Sequence, residues 1–217
     1  VGEWPDGFWG NRVSVWANHS SLEHIEIRTG RTIERAVLPS EGYPYIYGDR
    51  AILVADDQPW ACTDLLTGSL LWRRDVMEEM DRVPGALPRS RVYRLRRSSL
   101  GDRFLVSCSG RTFAVSIEDG RLLWHTPIRS EDTLTVAEGR AWALDCGRLV
   151  AMDETTGCVL IDRQDEAFRM TGPYGATPGA AWGHFIVFGM QSGHFAAFER
   201  ATGNIVFVRR FRTDLGS

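Results

Sequence analysis

An all-β fold assembled from repeated sheets is what the sequence predicts, and three observations predict it. A short phrase ending in glycine occurs five times: Glu26-Ile27-Arg28-Thr29-Gly30, Asp64-Leu65-Leu66-Thr67-Gly68, Ser116-Ile117-Glu118-Asp119-Gly120, Asp153-Glu154-Thr155-Thr156-Gly157 and Glu199-Arg200-Ala201-Thr202-Gly203. Its glycines are 38, 52, 37 and 46 residues apart in a chain of 217. Alternating apolar runs flank each copy, the pattern of half-buried strands. Five repeats give about 43 residues each, and a four-stranded propeller blade needs roughly 40 to 50. The expected fold is therefore a β-propeller of about five four-stranded blades.

The blades are expected at 1–40, 41–76, 89–128, 129–164 and 179–213, in a single domain, with insertions at 77–88 and 165–178. The N-terminal Trp4, Phe8 and Trp9 precede the first regular unit, where they can wedge a closing seam or anchor a partner. In the second blade Tyr43, Tyr45 and Tyr47 share one strand face; they read either as rings packed between blades or as an aromatic ligand platform. Residues 76–83, leading into the first insertion, can make two helical turns before Pro84 stops them. The fourth blade divides into strands at 133–136, 140–144, 148–152 and 158–161, with turns at Glu138-Gly139, Cys146-Gly147 and Thr156-Gly157. The fifth repeats this at 184–190, 194–199 and 204–209. Its preceding insertion, rich in glycine and proline, reads as a loop carrying Tyr174, and loops on a rigid scaffold are where binding concentrates.

The phrase has a mechanism. An Asp, Glu or Ser stands four residues before each glycine, where its oxygen can accept backbone N–H groups of the turn. The glycine supplies a positive φ. Four residues later come Trp72, Trp124, Ile161 and Phe207, placed to fill the space against the next sheet. The first repeat has Glu34 there and is the least regular.

Two copies, Ala61-Cys62-Thr63-Asp64-Leu65-Leu66-Thr67-Gly68-Ser69-Leu70-Leu71-Trp72 and Ala151-Met152-Asp153-Glu154-Thr155-Thr156-Gly157, resemble the PQQ-like, or quinoprotein-type, propeller repeat, which runs roughly Ala-x-Asp-x-x-Thr-Gly-x-x-x-Trp. The former carries one extra residue after its Ala, and the latter has Ile161 in place of Trp. The resemblance implies the propeller fold over nearly the whole chain. It implies no single function, because the family includes dehydrogenases, assembly scaffolds and binding modules. PQQ enzymes of the family carry an adjacent cysteine pair and a Glu/Asn/Asp calcium site, neither of which this sequence matches, so no cofactor is expected.

Composition narrows the chemistry. The chain is 43% hydrophobic and 11% aromatic with net charge −3, which supports a substantial core and gives no global field for nucleic acid or anionic membrane. All 25 basic residues are Arg. Without lysine there is no Walker-type phosphate loop, Schiff-base enzyme or Ser–Lys dyad. No apolar run is long enough to span a membrane, and the first residues lack the pattern of a signal peptide. Cys62, Cys108, Cys146 and Cys158 stand singly and read as buried free thiols, so the expected compartment is the cytoplasm, a removed leader aside.

No catalytic motif stands out. The five histidines show no HxxxH or HExxH spacing; His184 and His194 can meet across a hairpin but lack a third metal ligand. There is no Gly-x-Ser-x-Gly elbow. Arg89, Arg91, Arg94, Arg96, Arg97 and Arg103 form a basic run around Tyr93 that suits an acidic protein partner better than nucleic acid in an acidic chain. The favoured function is therefore a non-enzymatic protein-binding module, including an immunity or inhibitor type that caps a partner enzyme, as a monomer or partner heterocomplex. Its expected contacts are His19, Asp57, Trp60, Arg94, Arg96, Arg97, Tyr174 and Gln191. The alternatives are a small-ligand or carbohydrate binder, and an enzyme with His19, Asp57 and Gln191 at a channel mouth.

Overall fold

The computed structural model describes residues 8–9, 12–18, 21–26, 28–37, 43–47, 49–55, 58–85, 94–108, 110–130, 133–145, 148–164, 179–189 and 193–210. Five four-stranded antiparallel sheets follow one another along the chain, each in sequential strand order. Sheet 1 holds β1 (Phe8–Trp9), β2 (Arg12–Asn18), β3 (Ser21–Glu26) and β4 (Thr32–Val37). Sheet 2 holds β5 (Tyr43–Tyr47), β6 (Arg50–Val54), β7 (Trp60–Asp64) and β8 (Leu70–Arg74). The helix α1 (Val76–Asp81) follows, and then sheet 3 with β9 (Arg94–Arg97), β10 (Arg103–Cys108), β11 (Arg111–Ser116) and β12 (Leu122–Thr126). Sheet 4 holds β13 (Thr135–Ala137), β14 (Arg140–Asp145), β15 (Arg148–Asp153) and β16 (Val159–Gln164), and sheet 5 holds β17 (Ala180–Trp182), β18 (Phe185–Gly189), β19 (His194–Glu199) and β20 (Ile205–Arg210). This is the β-propeller fold. The chain divides into two compact units, residues 1–82 with 116–121, and residues 83–115 with 122–217.

Stacked sheets bury their middle strands on both faces, so these strands read as continuous apolar runs rather than alternating ones. Residues 51–54 of β6 and 104–108 of β10 are buried without a break. The outer strands are largely exposed instead, and Ile161 alone is buried in β16. The insertion helix is capped by Asp75, whose Oδ1 accepts the Glu78 N–H at 2.9 Å, and it buries Val76, Met77 and Met80.

The glycine phrase works as read, with one refinement. In every copy the glycine N–H donates to the carbonyl four residues earlier, at 2.8–3.0 Å, with φ between +67° and +74°. Asp64 Oδ1 accepts the Leu66 and Thr67 N–H groups at 2.8 Å, and Asp153 Oδ1 those of Thr155 and Thr156 at 2.9 and 2.8 Å. Glu26 and Glu199 are one methylene longer and accept from the hydroxyls of Thr29 and Thr202 instead, both at 2.6 Å.

A feature absent from the sequence reading repeats in all five sheets. The pairing of third and fourth strands shifts register just before each phrase, between His24/Ile25, Cys62/Thr63, Ala114/Val115, Ala151/Met152 and Ala197/Phe198. Such bulges re-aim side chains and increase local twist. The register sets Trp72 opposite Cys62, Trp124 opposite Ala114, Ile161 opposite Ala151 and Phe207 opposite Ala197. A small residue thus faces each bulky one. Cys62, rather than Ala61, occupies the repeat's Ala position, so the second copy has no extra residue.

Other expectations are adjusted. Phe8 and Trp9 form the first strand of their own sheet. The inner strand of sheet 4 starts at Thr135 because Thr133 and Leu134 both donate backbone N–H groups to Ser130, while the Thr133 hydroxyl accepts the Leu144 N–H at 2.9 Å. Tyr47 is buried and Tyr45 half-buried, so at least the Tyr47 ring belongs to the core. Cys62 and Cys108 are buried thiols in no disulfide, and burial pushes the Cys62 thiol up to about 11. Cys158 is free but exposed, since it follows the turn glycine on the outer edge.

The aspartate turns make acid stability testable. The Asp153 carboxyl is held below its ordinary 3.8 chiefly by the Thr156 N–H, and Asp64 chiefly by the Thr67 N–H. A lowered native pKa means that the unfolded chain takes up the proton first. The contribution is therefore complete above 3.8 and is lost as pH falls through the lower native values. Urea midpoints at about pH 5 and pH 3 should show a smaller acid-induced drop for the double variant Asp64→Asn/Asp153→Asn than for the wild type. Equal drops would place the acid sensitivity elsewhere.

Candidate binding site

Of the expected contact residues, Trp60, Arg94, Arg96 and Arg97 lie among the described residues. Trp60 is fully buried, with its Nε1–H donated to the Ala55 carbonyl at 3.1 Å, so its ring is core and not a surface anchor. Arg94, Arg96 and Arg97 lie on β9, where Arg96 is half-buried and donates from Nε to the Leu134 carbonyl at 3.2 Å. Arg103 leaves the basic run altogether, as described next. Arg89, Arg91, His19, Asp57, Tyr174 and Gln191 lie outside the described residues, as does the whole of the second insertion. His184 precedes β18 and His194 opens β19; antiparallel pairing of Phe185 with Glu199 sends the two histidines to opposite ends of the hairpin. No group of three or more metal-binding side chains gathers among the described residues.

What the structure does bring together is a joint built on the second residue of the third, fourth and fifth phrases. In the first unit, the Ile117 carbonyl accepts from Trp72 Nε1 at 2.9 Å and Arg50 Nη1 at 3.3 Å. In the second, the Glu154 carbonyl accepts from Trp124 Nε1 at 3.0 Å and Arg103 Nη1 at 3.2 Å, and the Arg200 carbonyl accepts from Arg140 Nη1 at 2.8 Å. The N–H groups of Glu154 and Arg200 return to their own sheets, donating to Gly139 and His184 at 3.0 and 2.8 Å. The bulky outer-strand residue covers the next phrase's glycine. A Cβ added to Gly120 would lie 2.7 Å from Trp72, one on Gly157 2.5 Å from Trp124, and one on Gly203 2.5 Å from Ile161. Arg50, Arg103 and Arg140 each open the second strand of a sheet. The sequence carried this signal in Gly48-Asp49-Arg50, Gly101-Asp102-Arg103 and Glu138-Gly139-Arg140.

Two joints of the second unit differ in their side chains. At the first, Glu154 is fully buried and its carboxylate accepts Ser98 Oγ at 3.3 Å, Ser99 N–H at 3.2 Å and Ser99 Oγ at 2.5 Å. At the second, Arg200 stands where Glu154 stood and Ile161 where Trp124 stood. There a cavity of about 310 Å³ opens, walled by Glu138, Arg140, Trp142, His184, Glu199 and Arg200 among others. Arg200 Nη1 pairs with Glu138 Oε1 at 2.9 Å, and Nη2 donates to the Gly183 carbonyl. Glu138 has φ +50°, a left-handed conformation uncommon for a non-glycine residue. The buried Trp142 Nε1 and Arg200 Nε have no hydrogen-bond acceptor among the described residues.

Comparison with known proteins bears on the fold and the family. Residues 7–209 match the PQQ_2 family model, described as outer membrane protein assembly factor BamB. Among solved structures, BamB from Moraxella catarrhalis superposes with a TM-score of 0.59 at 17% identity, over 93% of this chain and 61% of that one. The computationally designed Ika8 protein gives 0.56 at 17% identity, covering 93% and 72%. The Cps50 (Swd1) β-propeller domain of Myceliophteria thermophila gives 0.61 at 13% identity, covering 93% and 69%. The chain spans about three fifths of the length of the BamB structure. No curated protein matches it in sequence. No helix among the described residues is long and apolar enough to cross a membrane. With the family model covering almost the whole chain and the repeat's glycine turns and covering side chains in place, the chain belongs to the PQQ-like propeller family described as outer membrane protein assembly factor BamB.

Proposed function

We propose that the chain is a non-enzymatic protein-interaction module, a stiff array of sheets that presents edges and loops to another protein. The observation that carries this reading is the match of residues 7–209 to a family described as an assembly factor. The way the chain uses its polar side chains supports it: the arginines and tryptophans at the joints are spent on holding sheet to sheet. The contact surface proposed is the β9 side of sheet 3, with Arg94 and Arg97 as the charged contacts and Arg96 partly withdrawn by its bond to Leu134. An acidic partner face fits it. His19, Asp57, Tyr174 and Gln191 remain proposed loop contacts. A role as an immunity or inhibitor protein is a narrower form of the same reading.

Affinity capture from native extract with the full chain as bait tests it. A stoichiometric partner is expected, retained by the outer-strand variant Leu160→Glu and lost with Arg94→Glu/Arg97→Glu. Failure to recover a stoichiometric partner, or one insensitive to the arginine reversal, would overturn the assignment.

A further inference from the structure

We propose that the face of sheet 5 turned away from sheet 4 is a dimerisation surface, on which the same face of a second copy of the chain stacks. Sheet 5 buries its other face: Ile186, Phe188, Ala196 and Phe198 share a core with Trp142, Leu149, Ala151 and Ile161 of sheet 4. Strand alternation and register then place Trp182, Phe185, Val187, Phe195, Ala197 and Phe207 on the face opposite. That face is built like the one sheet 4 hides. The row Thr135–Trp142–Ala151–Ile161 across sheet 4 corresponds to Ala180–Val187–Ala197–Phe207 across sheet 5. Ile161 is 9% exposed beneath sheet 5, whereas Phe207 is 38% exposed. Trp182, at the register position of Ala137, is 74% exposed. The Phe207 ring meets that of Phe195 edge-on, with centroids 5.5 Å apart. Apolar side chains gathered on one solvent-facing patch mark an interaction surface.

Two features select a second copy as the occupant. The first is that the face carries no joint donor. Where sheet 4 meets sheet 5, the Arg140 guanidinium serves the Arg200 carbonyl. Phe185 stands at the register position of Arg140, and Phe207 stands where Trp72 and Trp124 offer an indole N–H. A sheet seated here through its glycine phrase would leave its phrase carbonyl without that donor. The occupant that fits is apolar, and the same face of another copy is. The second feature is that the row complements itself. An exposed ring, Phe207, is at one edge of the sheet and an exposed alanine, Ala180, is at the other. A two-fold axis parallel to the strands lays row on row in reverse order, so each Phe207 sits over the partner's Ala180. A bulky residue then meets a small one, as it does within each sheet. Glu199 and Arg209 share the face and give it the polar margin usual at interfaces. The surface is separate from β9, and the inference does not depend on the reading of that strand.

Sedimentation of the full chain from about 1 to about 200 µM, which brackets micromolar dissociation constants, tests it. A monomer–dimer equilibrium with no larger species is expected, since an isologous contact closes on itself. Trp182→Glu should raise the dissociation constant at least roughly tenfold, as loss of an aromatic anchor does. The Trp182 side chain is exposed, so this variant keeps its fold. Leu160→Glu, on the outer strand of sheet 4, should leave the constant unchanged. Copies carrying Phe207→Cys, mixed with copies carrying Ala180→Cys, both in a Cys158→Ser background, should oxidise to a mixed disulfide faster than either forms one alone. A monomer throughout, assembly that continues past the dimer, a dimer indifferent to Trp182→Glu or equally weakened by Leu160→Glu, or no preference for the mixed disulfide would overturn the proposal.

Discussion

Replacing Trp124 with alanine is expected to destabilise the protein by about 3–5 kcal/mol, the range for removing a large buried aromatic side chain. Trp124 is 9% exposed. Its ring lies on the Gly157 turn and packs in a cluster with Leu105, Ile128, Leu134, Val150 and Met152. The substitution removes that area and opens a cavity that the small Ala114 opposite cannot fill. It also takes one of two donors from the Glu154 carbonyl, leaving Arg103 alone on it. Trp124→Phe separates these effects: it keeps most of the apolar contact, loses the N–H, and should cost nearer 1 kcal/mol. Guanidinium unfolding midpoints for the two variants check the ordering. A cost for Trp124→Ala below about 1.5 kcal/mol would mean that the ring ornaments the joint rather than holding it. Trp72, in the same position one repeat earlier, is only half-buried and its alanine variant should lose less.

The residues that make this joint were unequally visible in the sequence. The glycines were legible because a positive φ leaves few alternatives to glycine, and the repeat made five such positions coincide. The bulky residue four places later was legible for the same reason. The bulge was not, because a register shift changes pairing without demanding a particular residue. Missing it misplaced the Ala position of the second repeat by one, at Ala61 instead of Cys62. The joint arginines were passed over because arginine is common throughout the chain and the eye goes to runs; Arg103 was read with its basic neighbours although its guanidinium is held by Asp102 and the carbonyls of Glu154 and Thr155. Trp60 was misjudged as exposed because strand alternation cannot say that a middle strand is covered on both faces. The cavity at Arg200 was invisible for a different reason: its walls come from residues far apart in the chain, Glu138, Trp142, His184 and Arg200 among them, whose separate identities signal nothing.

Gly157→Ala is expected to cost about 2–5 kcal/mol, and Gly68→Ala only about 1–2, although the two glycines occupy the same turn position. The shared part is conformational. Their φ values are +73° and +69°, and placing an L side chain there costs about 1–2 kcal/mol. The difference lies above the turn. A Cβ at position 68 meets nothing within 4 Å among the described residues. A Cβ at position 157 would sit 2.5 and 2.7 Å from two ring carbons of Trp124, so the indole must move and its bond to the Glu154 carbonyl must stretch or break. Forcing extra volume into such packing adds roughly 1–3 kcal/mol. A double-mutant cycle isolates that second part: in a Trp124→Ala background the Gly157→Ala cost should fall to the value seen at Gly68, giving a coupling energy of about 1–3 kcal/mol. Zero coupling would mean that the glycine is selected by its turn alone. A measured coupling would show that the phrase encodes two things with one residue, a left-handed turn for its own sheet and a bare floor for the ring of the sheet before it.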